Sequence, residues 1–323
     1  MTRVLVTGAA GFLGSHVCEA LVARGETVTG LDNFDGFYPR PVKEANVAGL
    51  AASARFTLVE GDIRDAGLVR GLLAPGDVVM HLAARAGVRP SLEDPALYAS
   101  VNVTGTATLL EAARVAGVAA FVFAGSSSVY GDTAPVPFRE DVAALDPISP
   151  YAATKRAGEL LCSTFVHLYG MRIMSLRFFT AYGPRQRPDL AIHRFTSLIA
   201  AGRPVLQFGD GSSERDYTWV DDIVQGVVAA RDWAARPEGA AFEIVNLGES
   251  RTVRLDRLIA LIGAALGVAP VIERRPMQPG DVRRTCADIT RARKLLGYHP
   301  ATAIEDGIPR FVRWFKEAHG RQT

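Results

Sequence analysis

The residues with the clearest chemical potential are one tyrosine, one lysine and a run of serines. In Ser149-Pro150-Tyr151-Ala152-Ala153-Thr154-Lys155, the tyrosine and lysine stand four residues apart. The following Ala157, Leu160, Leu161, Phe165 and Leu168 repeat apolar side chains at helical spacing, which puts Tyr151 and Lys155 on one helix face. Pro150 suits the first helical position and Ser149 the cap before it. A phenol has a reference pKa of about 10, so it serves as a base near neutrality only if its phenolate is stabilised. An ammonium one helical turn away does that by Coulomb attraction. Ser126-Ser127-Ser128, a little upstream, offers hydroxyls to the same proton network. A Tyr/Lys pair is also common on a solvated helix, and three serines also make an ordinary turn. The elements that must position them decide between these readings.

Those elements begin at the N-terminus. Residues 3–33 read as strand, glycine turn, helix and strand, with Gly8, Gly11 and Gly14 in the turn and Phe12 and Leu13 opening the helix. Glycines there let the backbone approach a pyrophosphate and pack helix on strand, while the free N–H groups of the helix start face the anion. Asp32 ends the second strand, before Asn33. A carboxylate there accepts hydrogen bonds from ribose hydroxyls and repels a 2′-phosphate, which favours NAD over NADP.

The alternation continues with a strand at 55–59 running into Gly61-Asp62-Ile63, where Asp62 can meet the adenine amino group. A buried strand at 78–82 ends in Leu82-Ala83-Ala84, small residues that let a cofactor lie against the backbone. Then come a long helix over 96–116, which carries Asn102, and a strand at 120–124 that delivers Ser126 at its carboxyl end. In open parallel sheets that edge is where ligands bind.

The pattern predicts an α/β fold: a Rossmann-type doubly wound parallel sheet with a smaller mixed α/β lobe. The first lobe spans 1–176 and receives the chain again over roughly 221–250; the second spans 177–323, interleaved with it. The 323 residues carry a net charge of +2 and 22% charged residues, which argues against nucleic acid as a partner. Cys18, Cys162 and Cys286 are far apart, so neither a disulfide scaffold nor a zinc site is expected and a reducing cytoplasm fits. The six histidines have no ligand spacing, so no metal is expected; His81 ends a buried strand. No stretch has the length of a membrane span or the pattern of a signal peptide.

Taken together, the chain resembles the extended short-chain dehydrogenases/reductases, in particular the nucleotide-sugar epimerases and dehydratases. The resemblance runs through TGAAGFLG at 7–14, LDN at 31–33, GDIRD at 61–65, HLAARAGVRPS at 81–91, SSSVYG at 126–131, SPYAATK at 149–155, RFFTAYGPRQRPD at 177–189 and RDYTWVDD at 215–222. It implies Ser126, Tyr151 and Lys155 as a catalytic triad, NAD in the first lobe and a nucleoside diphosphate sugar in the second. It also implies a homodimer through helices 96–116 and 152–168.

Similar dehydratases carry an Asp-Glu pair after the catalytic serine, and similar decarboxylases a glutamate at the second position. Here both positions are serine, Ser127 and Ser128. A serine hydroxyl is a poor base toward a sugar carbon, so simple epimerisation at carbon 4 is expected. Thr180, where many hexose-acting members have asparagine, resembles the 4-epimerases that act on UDP-glucuronate, as does Met277-Gln278-Pro279-Gly280-Asp281. By the same resemblance Arg89, Arg185 and Arg215 would hold the diphosphate, with Arg194 a further candidate. Leu206, Gln207 and Phe208 would line the uracil pocket and Asp281 would meet the uridine ribose. UDP-glucose 4-epimerisation and a non-catalytic, NAD-sensing or partner-binding role stay open at this point. The segment 34–50 has three readings: cofactor contact, cover for the site, or packing alone.

Overall fold

In the computed structural model, residues 3–118, 120–142, 145–276 and 282–320 are described. Seven parallel strands form the central sheet: β1 (Arg3–Thr7), β2 (Thr27–Asp32), β3 (Phe56–Glu60), β4 (Val78–His81), β5 (Ala120–Ser126), β6 (Arg172–Phe178) and, after three strands of the second lobe, β10 (Ala241–Leu247). Their order is β10-β6-β5-β4-β1-β2-β3. The order reverses between β1 and β4, which opens a crevice at the carboxyl edge. The strands β7 (Thr180–Tyr182), β8 (Val205–Phe208) and β9 (Glu214–Trp219), with β11 (Thr252–Arg254) and β12 (Ile272–Arg275), build two small sheets in the second lobe.

The helices are α1 (Phe12–Ala23), α2 (Arg40–Val47), α3 (Ala66–Leu72), α4 (Pro90–Glu93), α5 (Pro95–Ala99), α6 (Gly105–Val115), α7 (Pro150–Tyr169), α8 (Ala191–Ala200), α9 (Val220–Ala234), α10 (Leu255–Leu266), α11 (Thr290–Leu296) and α12 (Ile304–His319). One face of the central sheet packs Val4, Val6, Val122 and Met174 against Val17 and Leu21 of α1 and Val227 of α9. The other packs Leu5, Val79, Phe121 and Ile173 against Leu109 of α6 and Cys162 of α7. Covering both faces explains why these strands read as nearly continuous apolar runs. A separate core of Ile192, Trp219, Leu258, Ile308 and Phe311 holds the second lobe. No helix among the described residues is long and apolar enough to cross a membrane.

Two expectations are refined. The helix expected over 96–116 is continuous only through a wide π-helical turn, Ser100–Thr104, between α5 and α6. The stretch 177–182, which opens the motif RFFTAYGPRQRPD and reads as one strand, is divided: β6 stays in the central sheet, while β7 joins β9 in the second lobe. Phe179 sits at the break, its N–H donating to Leu247 O at 3.0 Å.

Candidate active site

A cleft of about 500 Å³ runs along the carboxyl edge of the sheet, from the glycine turn to β7. Its floor is set by local geometry. Gly8 adopts φ +71°, and a Cβ there would lie 2.8 Å from Ala83 N; a Cβ on Gly14 would lie 2.0 Å from Gly8 O. Neither position tolerates a side chain, so the turn stays close against β4 and opens the start of α1 toward the cleft. Gly11, Phe12, Leu13, Leu82, Ala83, Ala84 and Ile63 line it with them. The cradle fits the pyrophosphate of a dinucleotide.

At the far end stand Asp32, Asn33 and Asp62. Asp32 accepts from Ala10 N at 3.0 Å and Phe34 N at 2.9 Å, with Lys43 Nζ 3.7 Å away. Hydrogen bonds from Arg64 draw the Asp62 carboxyl down to about 2, and Asn33 Nδ2 donates to it at 3.0 Å. Asp62 is therefore an ionised acceptor where an adenosine would lie.

Asn102, a further candidate from the sequence for the cofactor, is not among the residues that line the cleft. The π-helical turn aims it at the loop after β4, where it accepts from Arg85 N at 2.7 Å and donates to Arg85 O at 2.9 Å and to Thr154 Oγ1 at 3.0 Å. It thus fixes the loop of small residues that does line the cleft. His81 supports the same loop. Thr106 Oγ1 spends its one hydrogen on Asn102 O at 2.6 Å, so it accepts from His81 Nε2–H at 3.0 Å. Nδ1 then accepts from Thr7 Oγ1 at 2.8 Å, which in turn takes the Ala83 N–H at 3.1 Å. Burial holds this histidine neutral, with its pKa pushed down to about 3.

At the other end β5 and α7 bring Ser126, Tyr151 and Lys155 together in the cleft. The helix starts as its sequence suggests: Ser149 Oγ accepts from Ala152 N at 3.1 Å and Pro150 occupies the first turn. Burial pushes the Tyr151 phenol up; a hydrogen bond with Ser126 and the field of Arg187 pull it back. Tyr98 closes on it edge to face, with ring centres 6.3 Å apart. Lys155 Nζ donates to Ala124 O at 2.8 Å, and burial lowers its pKa to about 8. Arg187 is a cation whose field acts on Tyr151, and the sequence reading passed over it. Its signal was present two residues beyond Arg185 in the same motif.

Ser127, Ser128 and Thr180 line the cleft beside Tyr151, with Arg187 and Leu190. The carboxylates on the wall are Asp32 and Asp62 at the other end, and Asp35, which pairs with Arg85. Among the described residues that line the cleft, the Tyr151 end has hydroxyls and the Arg187 guanidinium, which is paired with the Asp189 carboxylate at 2.7 Å. It can take a proton from an alcohol, and no described lining residue beside Tyr151 offers a further carboxyl for eliminating water.

The remaining candidates divide. Arg185 is turned out of the cleft, a correction to its assignment to the diphosphate. Its backbone adopts φ +65°, and its side chain donates to Glu19 Oε2 at 2.6 Å and Asn46 O at 3.0 Å. Arg89 lies over the Phe208 ring, 5.4 Å from its centre, so these two meet across the lobes beyond the cleft. Strand alternation puts Leu206 and Phe208 on one face of β8 and buries Gln207 on the other. Arg215 Nη1 donates to Glu214 O at 3.0 Å, and Arg194 is exposed on α8. Asp281, with the rest of 277–281, lies outside the described residues.

The family model described as GDP-mannose 4,6 dehydratase matches residues 5–311. The chain belongs to that family. Its members are the extended short-chain dehydrogenases/reductases that the motifs resemble. One relative, the UDP-glucuronate 4-epimerase of Thermodesulfobacterium geofontis, is 41% identical over 98% of this chain and 97% of its own length. Among family members of known structure, the UDP-glucuronic acid 4-epimerase of Bacillus cereus, in complex with UDP-glucuronic acid and NAD, superposes with a TM-score of 0.91. It is 35% identical and covers 98% of this chain and all of that one. DesIV, a dTDP-glucose 4,6-dehydratase of Streptomyces venezuelae with NAD bound, reaches 0.90 at 31% identity, covering 99% and 98% of the two chains. The fold therefore serves more than one reaction, and the side chains beside Tyr151 distinguish them.

Proposed function

We propose that this chain interconverts UDP-glucuronate and UDP-galacturonate by inverting carbon 4, with NAD retained through the cycle. The observation that carries the reading is the composition of the cleft at Tyr151: hydroxyls from Ser127, Ser128 and Thr180 and the guanidinium of Arg187, held by Asp189, with Asp32, Asp35 and Asp62 as the carboxylates among the described lining residues. An acidic sugar is compatible with such a wall, and elimination is not supported by it. The relatives that act on UDP-glucuronate support the same substrate.

In this reading the glycine turn and the start of α1 hold the dinucleotide's pyrophosphate and Asp32 its adenosine ribose. When bound, NAD supplies the acceptor and then the donor of the carbon 4 hydride. Tyr151 takes the proton of the carbon 4 hydroxyl and later returns it. Ser126 keeps its hydrogen bond to the phenol as charge develops, and Lys155 supplies a buried ammonium beside the cofactor's ribose. The 4-keto sugar is a β-keto acid, which loses carbon dioxide when its carboxylate stands orthogonal to the ring carbonyl. Thr180 and the two serines hold the carboxylate away from that orientation.

The same proposal places the protein in a reducing cytoplasm, consistent with three buried, unpaired cysteines. It also makes the protein a homodimer through α6 and α7, where Leu160 and Leu168 are 54% and 59% exposed on one helix face. The lobes are read as 1–176 with the returning 221–250, and 177–323. The deciding experiment incubates purified protein, without added NAD, with UDP-glucuronate and separately with UDP-glucose, and follows products by chromatography. Conversion of the acid to its 4-epimer is expected; conversion of the neutral sugar alone would remove the role given to Thr180.

A further inference from the structure

The segment after β2, whose role the sequence left open, is a wall of the cleft. Asp35, Phe37, Tyr38 and Lys43 line it together with the glycine turn and Asp32. On its inner side the Phe37 ring takes two cations, Arg85 at 4.8 Å and Arg187 at 5.0 Å from its centre. The segment is tied down at several points, among them Arg40 of α2, which donates to both carboxylate oxygens of Glu60 on β3 at 2.8 and 2.6 Å. Asn46 Nδ2, near the end of α2, donates to Ala10 O in the glycine turn at 2.9 Å, and Asn46 O accepts from Arg185 Nη1 at 3.0 Å. The same guanidinium reaches α1 through Glu19 at 2.6 Å, and His16 of α1 binds Pro184 O at 3.0 Å.

Arg185 thus joins three pieces that are distant in sequence: the strap, the helix that follows the glycine turn, and the turn after β7. Its left-handed backbone is a conformation that non-glycine residues rarely adopt. The neighbouring Gln186 locks the turn, donating from Nε2 to Ala181 O at 2.9 Å and accepting from His193 N at 3.1 Å. This conformation sends Arg185 outward onto the strap while Arg187, on the same turn, enters the cleft. This strap shares the cleft wall with the glycine turn, the seat proposed for the dinucleotide.

We infer that Arg185 is a clasp that sets how long NAD stays bound, by pinning the strap to α1 and to the second lobe, and that it does not bind the sugar nucleotide. The inference rests on the proposed NAD-dependent reading. It is a positioning role, exerted through Asn46 and Glu19.

The test measures NAD release directly. Purified protein loaded with NAD is mixed with an excess of an NAD-reducing dehydrogenase and its substrate, and the absorbance of reduced cofactor reports each released molecule. Arg185→Met is expected to accelerate release about tenfold, the scale of a charge-assisted hydrogen-bond pair discounted for partial exposure. Glu19→Gln, outside the cleft, is expected to move release about threefold in the same direction. Arg185→Lys, which can reach one partner, should restore part of the retention. The KM for UDP-glucuronate should move less than the release rate. If release from both Arg185→Met and Glu19→Gln matches the parent, the clasp is refuted. A KM raised tenfold with unchanged release would instead return Arg185 to the substrate. A parent protein that neither carries nor binds NAD would overturn the proposed function and the clasp together, whereas a parent that holds NAD while the variants release it no faster overturns the clasp alone.

Discussion

The two ends of the cleft are built by different means. At the adenosine end, backbone does the work: a glycine turn pressed on β4, a helix start, and Asp32 fixed at its strand end by the N–H groups of Phe34, two residues on, and Ala10 in the glycine turn. At the sugar end, side chains from β5, α7, β7 and the turn after it converge across two lobes. The first kind of site depends on short stretches of chain, the second on how the lobes meet. Damage at the adenosine end should therefore act on every substrate alike, whereas damage at the sugar end should change which substrate and which product prevail.

The largest expected effect breaks the chemistry and leaves the adenosine end intact. Tyr151→Phe should lower kcat by about a thousandfold or more, on the scale of losing a positioned acid-base group, while NAD content after purification matches the parent. Asp32→Ala tests the opposite end. It removes the acceptor for Ala10 and Phe34 N–H and should weaken NAD binding about a hundredfold, measured by titration into stripped protein, with an equal proportional loss of turnover on acidic and neutral UDP-sugars. A loss confined to one sugar would contradict the division.

Thr180→Val sharpens the sugar end. It should weaken UDP-glucuronate binding about tenfold and release a decarboxylated pentose product detectable by chromatography; unchanged affinity with no pentose would show that Thr180 is only a strand residue. The smallest effect is electrostatic. Arg187 pulls the Tyr151 phenol down, so Arg187→Met leaves the phenolate less stable and raises its pKa. The acid limb of the kcat/KM profile should then move to higher pH, and a limb that stays in place would separate Arg187 from the proton transfer.

The same contrast explains what could be read from the chain. Gly8, Gly14 and Asp32 stood out in the sequence because the strand–turn–helix–strand unit that carries them is contiguous and its turn tolerates no side chain at two positions. Arg185 and Arg187 were not separable, because their divergence comes from one left-handed residue in a turn whose conformation the second lobe fixes. Asn102 looked like a ligand since nothing in a helical pattern announces a π-helical turn, which redirects its side chain to Arg85. The break at Phe179 was hidden for a related reason: β6 and β7 read as one run of strand-forming residues, and only the competing pairing of β7 with β9 divides them.

The placement of β10 carries a consequence for synthesis. This strand pairs with all of β6, from Ala241 beside Arg172 to Leu247 beside Phe178, and Arg172 is held by Trp233 O at 3.0 Å and by the Trp233 ring, 4.0 Å away. A chain leaving the ribosome therefore presents β6 as a bare sheet edge until the whole of α9 and β10 has followed. An open edge of apolar residues is what aggregation and holding chaperones both recognise. Translation pauses or truncations that fall between the two strands should leave the nascent protein at its most vulnerable, with its glycine turn already made and its sheet still open.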